Sequence, residues 1–194
     1  MAHRPPCYTS VVTATGRSGP VSTDINGIRR VDPDAIPAWR PTLAWWTGGR
    51  LTATKTGAAV WRKIAPIDAR LLQATGGRLR INIAAPILIL TSTGARSGQR
   101  RDTPLAYFTD ADDVVLIASN YGGERHPAWY HNLHAHPECE LHIGPLGGRF
   151  VARVVDGADR ERLYGLPEKL VRNYAHYAQA ARARTIPVLR LTPA

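Results

Sequence analysis

Short runs of branched apolar residues, separated by turn-forming residues, recur along the second half of the chain and predict β-strands. Residues 86–93 read PILILTST, an apolar run with no polar residue until its end. Residues 110–113 (DADD) have the composition of a tight turn between two such runs, which predicts an antiparallel hairpin. A second hairpin is predicted across residues 144–148. The predicted strands are residues 86–93, 103–109, 114–119, 138–143, 149–156 and 186–191.

Three other stretches favour helices. Residues 57–75 carry apolar side chains at the spacing of one helical face, and Pro127 suits the first position of a short helix that ends near residue 136. Residues 158–183 predict a C-terminal helix, with Pro167 as an interruption. Five or six short antiparallel strands with helices between them are typical of an α+β fold, a small β-barrel with helical covers.

The composition changes along the chain and predicts three parts. Residues 1–50 are rich in Pro, Gly, Ser, Thr and Arg, which indicates a flexible N-terminal extension, although three tryptophans within it could dock on the barrel or on a membrane surface. Residues 51–80 form a basic amphipathic segment, either a helix packed on the barrel or one that lies on a membrane. Residues 81–194 form the predicted barrel domain.

The 194-residue chain has a formal net charge of +10, which favours an anionic partner such as nucleic acid, a phosphorylated cofactor or an acidic membrane. Nucleic acid is disfavoured because many arginines concentrate in one glycine-containing loop and no DNA- or RNA-binding motif is recognised. The sequence shows neither a long apolar span nor a signal peptide, and two cysteines do not make a disulfide framework. We therefore expect a cytoplasmic protein, with residues 39–80 as a candidate contact with the inner face of the plasma membrane.

The loop of residues 91–101 (TSTGARSGQRR) carries the first candidate chemistry. It follows a predicted strand and contains two glycines and three arginines. Glycines let backbone N–H groups approach an anion, and guanidinium groups match phosphate oxygens. The loop could therefore hold a phosphate group, or it could be a solvated basic turn.

A second candidate lies at residues 118–133 (ASNYGGERHPAWYHNL), where a strand end leads through a Gly-rich loop into a helix. Strand ends and helix starts are suited to a planar polar ring with an anionic tail. Trp129 could line such a site or pack in the core. Five of the seven histidines fall within residues 126–142, but no supporting carboxylate or cysteine spacing accompanies them, so we predict no metal site.

Several ordered motifs together resemble the deazaflavin-dependent nitroreductase family of actinobacteria. The resemblance covers about residues 80–193. The matching segments are TSTGARSGQ with RDTPL in residues 91–105, ASNYGG at 118–123, HPAWYHNL at 126–133 and RTIPV at 184–188.

This resemblance implies a split β-barrel of the FMN-binding-like kind and coenzyme F420 as the cofactor. By likeness, the residues that would hold the phosphate and adjoining tail are Arg96, Ser97, Gln99 and Arg101. Those that would hold the deazaflavin and neighbouring groups are Ser119, Asn120, Ala128, Trp129 and Asn132. Tyr174 and Tyr177 would face the substrate pocket, and Ser119 or one of these tyrosines could supply a proton to the acceptor.

The activity implied is hydride transfer from the reduced deazaflavin to an electron-poor acceptor, with quinones, enones and nitroaromatics as candidates. The sequence leaves open an FMN-binding oxidoreductase on the same barrel and, in another class, a basic nucleic-acid-binding protein. It also leaves open a homo-oligomer. Three positions depart from the family pattern: Ala95 precedes Arg96 where a second basic residue is common, Arg100 replaces a frequent proline, and Ala106 replaces an aromatic residue.

Overall fold

The computed structural model of the protein describes residues 23–33, 86–166 and 184–194. Two short strands come first, β1 (Asp24–Ile25) and β2 (Ile28–Arg29). The strands of the barrel are β3 (Ile87–Thr93), β4 (Arg100–Ala106), β5 (Phe108–Asp110), β6 (Asp113–Ile117), β7 (Glu138–Ile143), β8 (Leu146–Val155) and β9 (Val188–Pro193). The helices are a 3₁₀ turn (Asn120–Gly122), α1 (Ala128–Ala135) and α2 (Gly157–Gly165).

Seven antiparallel strands form one curled sheet in the order β4-β3-β7-β8-β9-β6-β5. The two edge strands, β4 and β5, are consecutive in the chain and are separated only by Tyr107. The chain therefore passes directly from one edge of the sheet to the other, which brings both edges together as a half-barrel. The predicted fold class, an antiparallel split barrel with helical covers, is confirmed.

Two apolar clusters lie on the two faces of this sheet. The inner cluster includes Leu90, Leu116, Leu141 and Phe150, each no more than 1% exposed, and α1 joins it through Leu133. The outer cluster packs α2 against β6 and β9 through residues such as Leu163. Burial of such side chains stabilises the fold by roughly 1.5–3 kcal/mol each.

Residues 23–33 form a hairpin that packs on the barrel, inside the part of the chain predicted to be a flexible extension. Asn26 and Gly27 make its turn with φ of +50° and +83°, the pair of left-handed residues that two-residue hairpins favour. Ile28 is 0% exposed in the inner cluster. The backbone N–H of Thr109 in β5 donates to the Val31 carbonyl at 2.9 Å, so the hairpin segment also covers an edge of the sheet.

Several predicted element boundaries shift in the structure. The strand predicted at 103–109 begins at Arg100 and breaks at Tyr107, where the chain crosses between the sheet edges. The turn predicted across 144–148 shrinks to Gly144 and Pro145, because β8 already begins at Leu146.

Other predicted features lie outside the described residues. These are the helix at 57–75, residues 167–183 of the C-terminal helix, and the tryptophans Trp39, Trp45 and Trp46. The division at residues 50 and 80 therefore stays a prediction. In the described ranges, no helix is long and apolar enough to cross a bilayer.

Candidate functional site: two loops joined by a short helix

The loop between β3 and β4 (residues 94–99), together with Arg100 and Arg101 at the start of β4, is the first half of the site and is called the first loop. It closes tightly, because the N–H of Gly94 donates to the Gln99 carbonyl and that of Gly98 to the Gly94 carbonyl, both at 2.8 Å. A Cβ on Gly94 would lie 2.6 Å from Ser97 Oγ and 3.2 Å from the Gln99 carbonyl oxygen, so any other residue there would have to displace the Ser97 hydroxyl. Gly98 has a φ of +65°, which also favours glycine. The backbone thus fixes a compact loop whose side chains point into solvent.

The three arginines of this segment differ in their surroundings. Arg100 donates to both carboxylate oxygens of Glu140, at 3.3 and 2.7 Å, and this ion pair raises the pKa of Arg100. Arg101 follows on the opposite face of the strand, across from Ser92, and donates to Gln99 Oε1 at 3.0 Å. Arg96 is exposed, and in the described part of the chain no carboxylate pairs with Arg96 or Arg101. Among the described residues, therefore, Arg100 has a carboxylate partner, whereas Arg96 and Arg101 have none.

Asn132 on α1 ties this loop to the helix. Its Oδ1 accepts from the N–H of Ala95 at 3.0 Å, and its Nδ2 donates to Ser92 Oγ at 3.2 Å. Asn132 is itself 9% exposed, and Ser92 is 2% exposed. The amide therefore fixes the helix, the end of β3 and the start of the loop relative to one another.

The segment from Ser119 to His126 is the second half of the site. It runs from the end of β6 to the start of α1, and it contains three consecutive left-handed residues, Asn120, Tyr121 and Gly122, with φ of +48°, +53° and +72°. Non-glycine residues in this region cost about 1–2 kcal/mol each. Asn120 Nδ2 donates to the Arg125 carbonyl at 2.9 Å, which spans the loop from inside. Such strain persists only where the surrounding contacts impose it.

Arg184, just before β9, is the strongest of those contacts. Its Nε donates to the Gly123 carbonyl at 2.9 Å and its Nη2 to the Ser119 carbonyl at 2.8 Å. Its Nη1 lies 3.1 Å from His126 Nδ1. The sequence motif containing Arg184 was recognised, but no role was predicted for the side chain, because the contacts span about 60 residues and carry no local signal.

Burial and neighbouring charge shift two pKa values in this half of the site. Burial lowers the pKa of Arg184, whose described hydrogen-bond acceptors are all neutral. The pKa of His126 is lowered by burial, then by Arg184 and His131. Neutral His126 is the form whose Nδ1 can accept from Arg184.

Four rings form a cluster on α1 and at His126, two residues before the helix begins. His126 and Tyr130 have ring centroids 4.9 Å apart, Tyr130 and His131 are 5.5 Å apart, and Tyr130 and His134 are 6.0 Å apart. The histidines pack with tyrosine rather than converge on one point. Across the ranges that the structure describes, no group of three His, Cys, Asp or Glu is placed to hold a metal ion.

The predicted site residues fall into clear groups. Arg96, Ser97 and Gln99 are exposed on the first loop, while Ser119 and Asn120 are half-buried on the second. Ala128 is exposed at the start of α1. Trp129 is 6% exposed and belongs to the inner apolar cluster.

Helix α1 joins these groups, since it begins beside the second loop and binds the first through Asn132. The axial rise from Ala128, beside the second loop, to Asn132, which binds the first, is about 6 Å. Tyr174 and Tyr177 lie outside the described residues. The arrangement can hold an anionic group at one end and a planar group at the other.

Known proteins similar to this chain point to one family. The family described as F420H(2)-dependent quinone reductase matches residues 60–193. An F420H(2)-dependent quinone reductase of Mycobacterium tuberculosis (strain H37Rv) is 39% identical over 127 residues, which cover 63% of this chain and 85% of the relative.

Two solved structures are also similar. One is an F420-H2 dependent reductase, FDR-A, with a TM-score of 0.50 and 33% sequence identity. The match covers 55% of this chain and 93% of the reductase chain. The other is a domain-swapped dimer with a TM-score of 0.52 and 29% sequence identity. The match covers 69% of this chain and 98% of the chain of that dimer. The resemblance seen in the sequence motifs is confirmed: the chain belongs to the F420H(2)-dependent quinone reductase family and is an oxidoreductase whose cofactor is coenzyme F420.

Proposed function

We propose that the protein reduces a quinone-type acceptor with the hydride of reduced F420, and that the two loops hold opposite ends of the cofactor. The observation that carries this proposal is the first loop, where Arg96 and Arg101 have no described carboxylate partner while Arg100 beside them has one. If the loop were only a solvated basic turn, nothing would explain why Arg100 has a carboxylate partner and the other two arginines do not.

The tail end of the cofactor fits the first loop. Arg96, Ser97, Gln99 and Arg101 supply guanidinium, hydroxyl and amide donors on a backbone that is already closed. A hydrogen bond between charged groups contributes on the order of 1.5–3 kcal/mol. Arg101 is held by Gln99 and lies on the inner face of the sheet, the side on which α1 packs.

The ring end of the cofactor fits the second loop and α1. Ser119 and Asn120 lie at the end of β6, and Ala128 leaves open space at the start of the helix. Trp129 and Asn132 act here through the scaffold, because the indole is in the core and the Asn132 amide already bonds Ala95 and Ser92. We propose positioning roles for both of these residues.

When bound, F420 supplies the hydride, so the protein needs no nucleophile of its own. Cys139 is unsuited to that role, since burial raises the pKa of its thiol to about 12. The half-buried Ser119 hydroxyl is the proposed group that donates a hydrogen bond or a proton to the acceptor. Tyr174 and Tyr177 are proposed to face the acceptor pocket.

The family description supports quinones ahead of enones and nitroaromatics. A quinone with a hydrophobic tail resides in a membrane, which would give residues 39–80 a reason to contact its surface. The similar domain-swapped dimer suggests a homo-oligomer as a further proposal for this chain. Charge alone does not favour nucleic acid over the phosphorylated cofactor that the first loop fits.

Acceptor choice is tested by steady-state reduction with reduced F420 and, in turn, a naphthoquinone, a cyclohexenone and a nitroaromatic compound. We expect the highest kcat/KM for the naphthoquinone. Ser119→Ala should lower kcat by about tenfold or more if the hydroxyl assists proton transfer, with F420 affinity unchanged. Turnover of the enone or the nitroaromatic without turnover of the quinone would contradict the proposal.

A further inference from the structure

Arg184 binds both ends of the second loop at once. Its guanidinium donates to the carbonyls of Ser119 and Ala118 where the loop leaves β6, at 2.8 and 3.4 Å, and to that of Gly123 where the loop turns toward α1, at 2.9 Å. A planar fork with five donors can make such contacts in several directions, whereas an ammonium group is a single compact charge.

The loop needs this support because its backbone is strained between those two ends. Asn120 and Tyr121 are both left-handed, and the hydrogen bonds inside the turn are the N–H of Gly122 to the Ser119 carbonyl and that of Gly123 to the Asn120 carbonyl, both at 3.0 Å. The Ser119 carbonyl thus accepts from both Gly122 and Arg184. Fixing this carbonyl fixes the backbone of the residue that we propose to contact the ring.

We infer that Arg184 is a positioning residue that holds the second loop in the shape that receives the planar ring of the cofactor. The inference rests on the proposed roles of Ser119 and Asn120 in that site. It also divides the work between two sets of arginines: Arg96 and Arg101 bind the anionic tail directly, and Arg184 acts on the ring through the backbone carbonyls that it holds.

Two ligands separate these roles. One is F420, and the other is its deazaflavin riboside without phosphate and tail. The full chain and its Arg184→Lys and Arg184→Met variants are titrated with both ligands by fluorescence. Arg160→Lys is the matched control, because Arg160 also donates to a backbone carbonyl, that of Ile186, at 2.9 and 3.3 Å, but lies outside both loops.

Both Arg184 variants should lose about 10- to 100-fold in affinity for the riboside and for F420 alike, since they lack hydrogen bonds from a charged group that hold the ring site in shape. Arg160→Lys should remain within about threefold of wild type. Charge reversal at Arg96 and Arg101 should weaken F420 binding and leave riboside binding unchanged. Wild-type riboside affinity in Arg184→Lys or Arg184→Met would overturn the inference.

Failure of the proposed loop roles looks different, because charge reversal at Arg96 and Arg101 would then leave F420 affinity at its wild-type value. Should neither Arg184 variant fold, amide hydrogen exchange of the wild type decides the question. The amides of Gly122 and Gly123 should then be protected in the absence of ligand, since the loop is held by Arg184 and not by the cofactor. Exchange of both amides at the rate of an unfolded chain would contradict the inference.

Discussion

Two sets of arginines occupy opposite settings in this molecule. Arg190 on β9 is 7% exposed and donates to three carboxylates, with contacts to Asp110 at 2.6 Å, Asp159 at 2.9 Å and Asp113 at 3.2 Å. Arg162 adds a bidentate pair with Asp110, at 2.9 and 2.7 Å. Three arginines of the candidate site, by contrast, meet only neutral acceptors or none among the described residues: Arg96, Arg101 and Arg184.

The difference separates arginines that stabilise the barrel from those that we propose to serve the cofactor. Hydrogen bonds from Arg190 and then Arg162 lower the pKa of Asp159 to about 2, which shows a cluster satisfied within the protein. The described hydrogen-bond acceptors of Arg184 are all neutral, so these contacts do not balance its positive charge. Burial lowers the pKa of this guanidinium group. The guanidinium groups of Arg96 and Arg101 therefore lie without carboxylate partners among the described residues where we propose that the anionic cofactor binds.

The largest expected effect on folding is at Arg190. Arg190→Met leaves the carboxylates of Asp110 and Asp159 without their buried partner and should lower the free energy of unfolding by about 2–4 kcal/mol, less than for a fully buried pair because the carboxylates are partly exposed. Urea denaturation measures this. The control is Arg153→Met, an exposed arginine with one contact of 3.9 Å, which should change stability by about 0.5 kcal/mol or less.

The same cluster should show itself in acid. Because the pKa of Asp159 is depressed in the folded state, its contribution to stability is present above the ordinary carboxyl pKa of about 3.9 and is lost as the pH falls toward about 2. Arg190→Met should lack this part of the acid transition. If Arg190→Met and Arg153→Met had the same free energy of unfolding, Arg190 would not stabilise the barrel through its carboxylate partners as we propose.

A smaller effect is expected at His126. Its pKa is lowered in the folded protein, so the neutral ring stabilises the fold above the ordinary histidine pKa of about 6.5, and this contribution falls as the pH drops below that value. Between pH 7.5 and 5.5 the wild type should lose melting temperature relative to His126→Gln, by up to about 3 °C. Glutamine can accept from Arg184 without titrating. If the melting temperatures of the two proteins changed equally between about pH 7.5 and 5.5, the contact between Arg184 and neutral His126 would be contradicted.

The sequence predicts the strands well and the contacts between loops poorly. Residues 86–93 are recognisable because a fully buried strand reads as a continuous apolar run. The β1–β2 hairpin had a local signal, Asn26-Gly27 between Ile25 and Ile28, but the surrounding Pro- and Gly-rich composition masked it.

The candidate site was predictable only in part. The motifs located both loops, since glycine is favoured at Gly98 and Gly122 for a local reason, their positive φ. The partners of Asn132 and Arg184 were not predictable, because each contact joins segments about 40 to 65 residues apart. Likewise, only the pairing of β3 with β4 and β7 shows that Arg100 turns to Glu140 while Arg101 faces inward.

The central claim is that unpaired guanidinium groups of the first loop hold the anionic tail of F420. Its most direct test is a fluorescence titration of the wild type, of Arg96→Glu/Arg101→Glu and of Arg149→Glu/Arg153→Glu, which carries the same change of net charge on exposed arginines of β8. We expect the first double variant to lose at least about 100-fold in F420 affinity and the second to stay within about threefold. Equal losses in both, or none in the first, would contradict the claim.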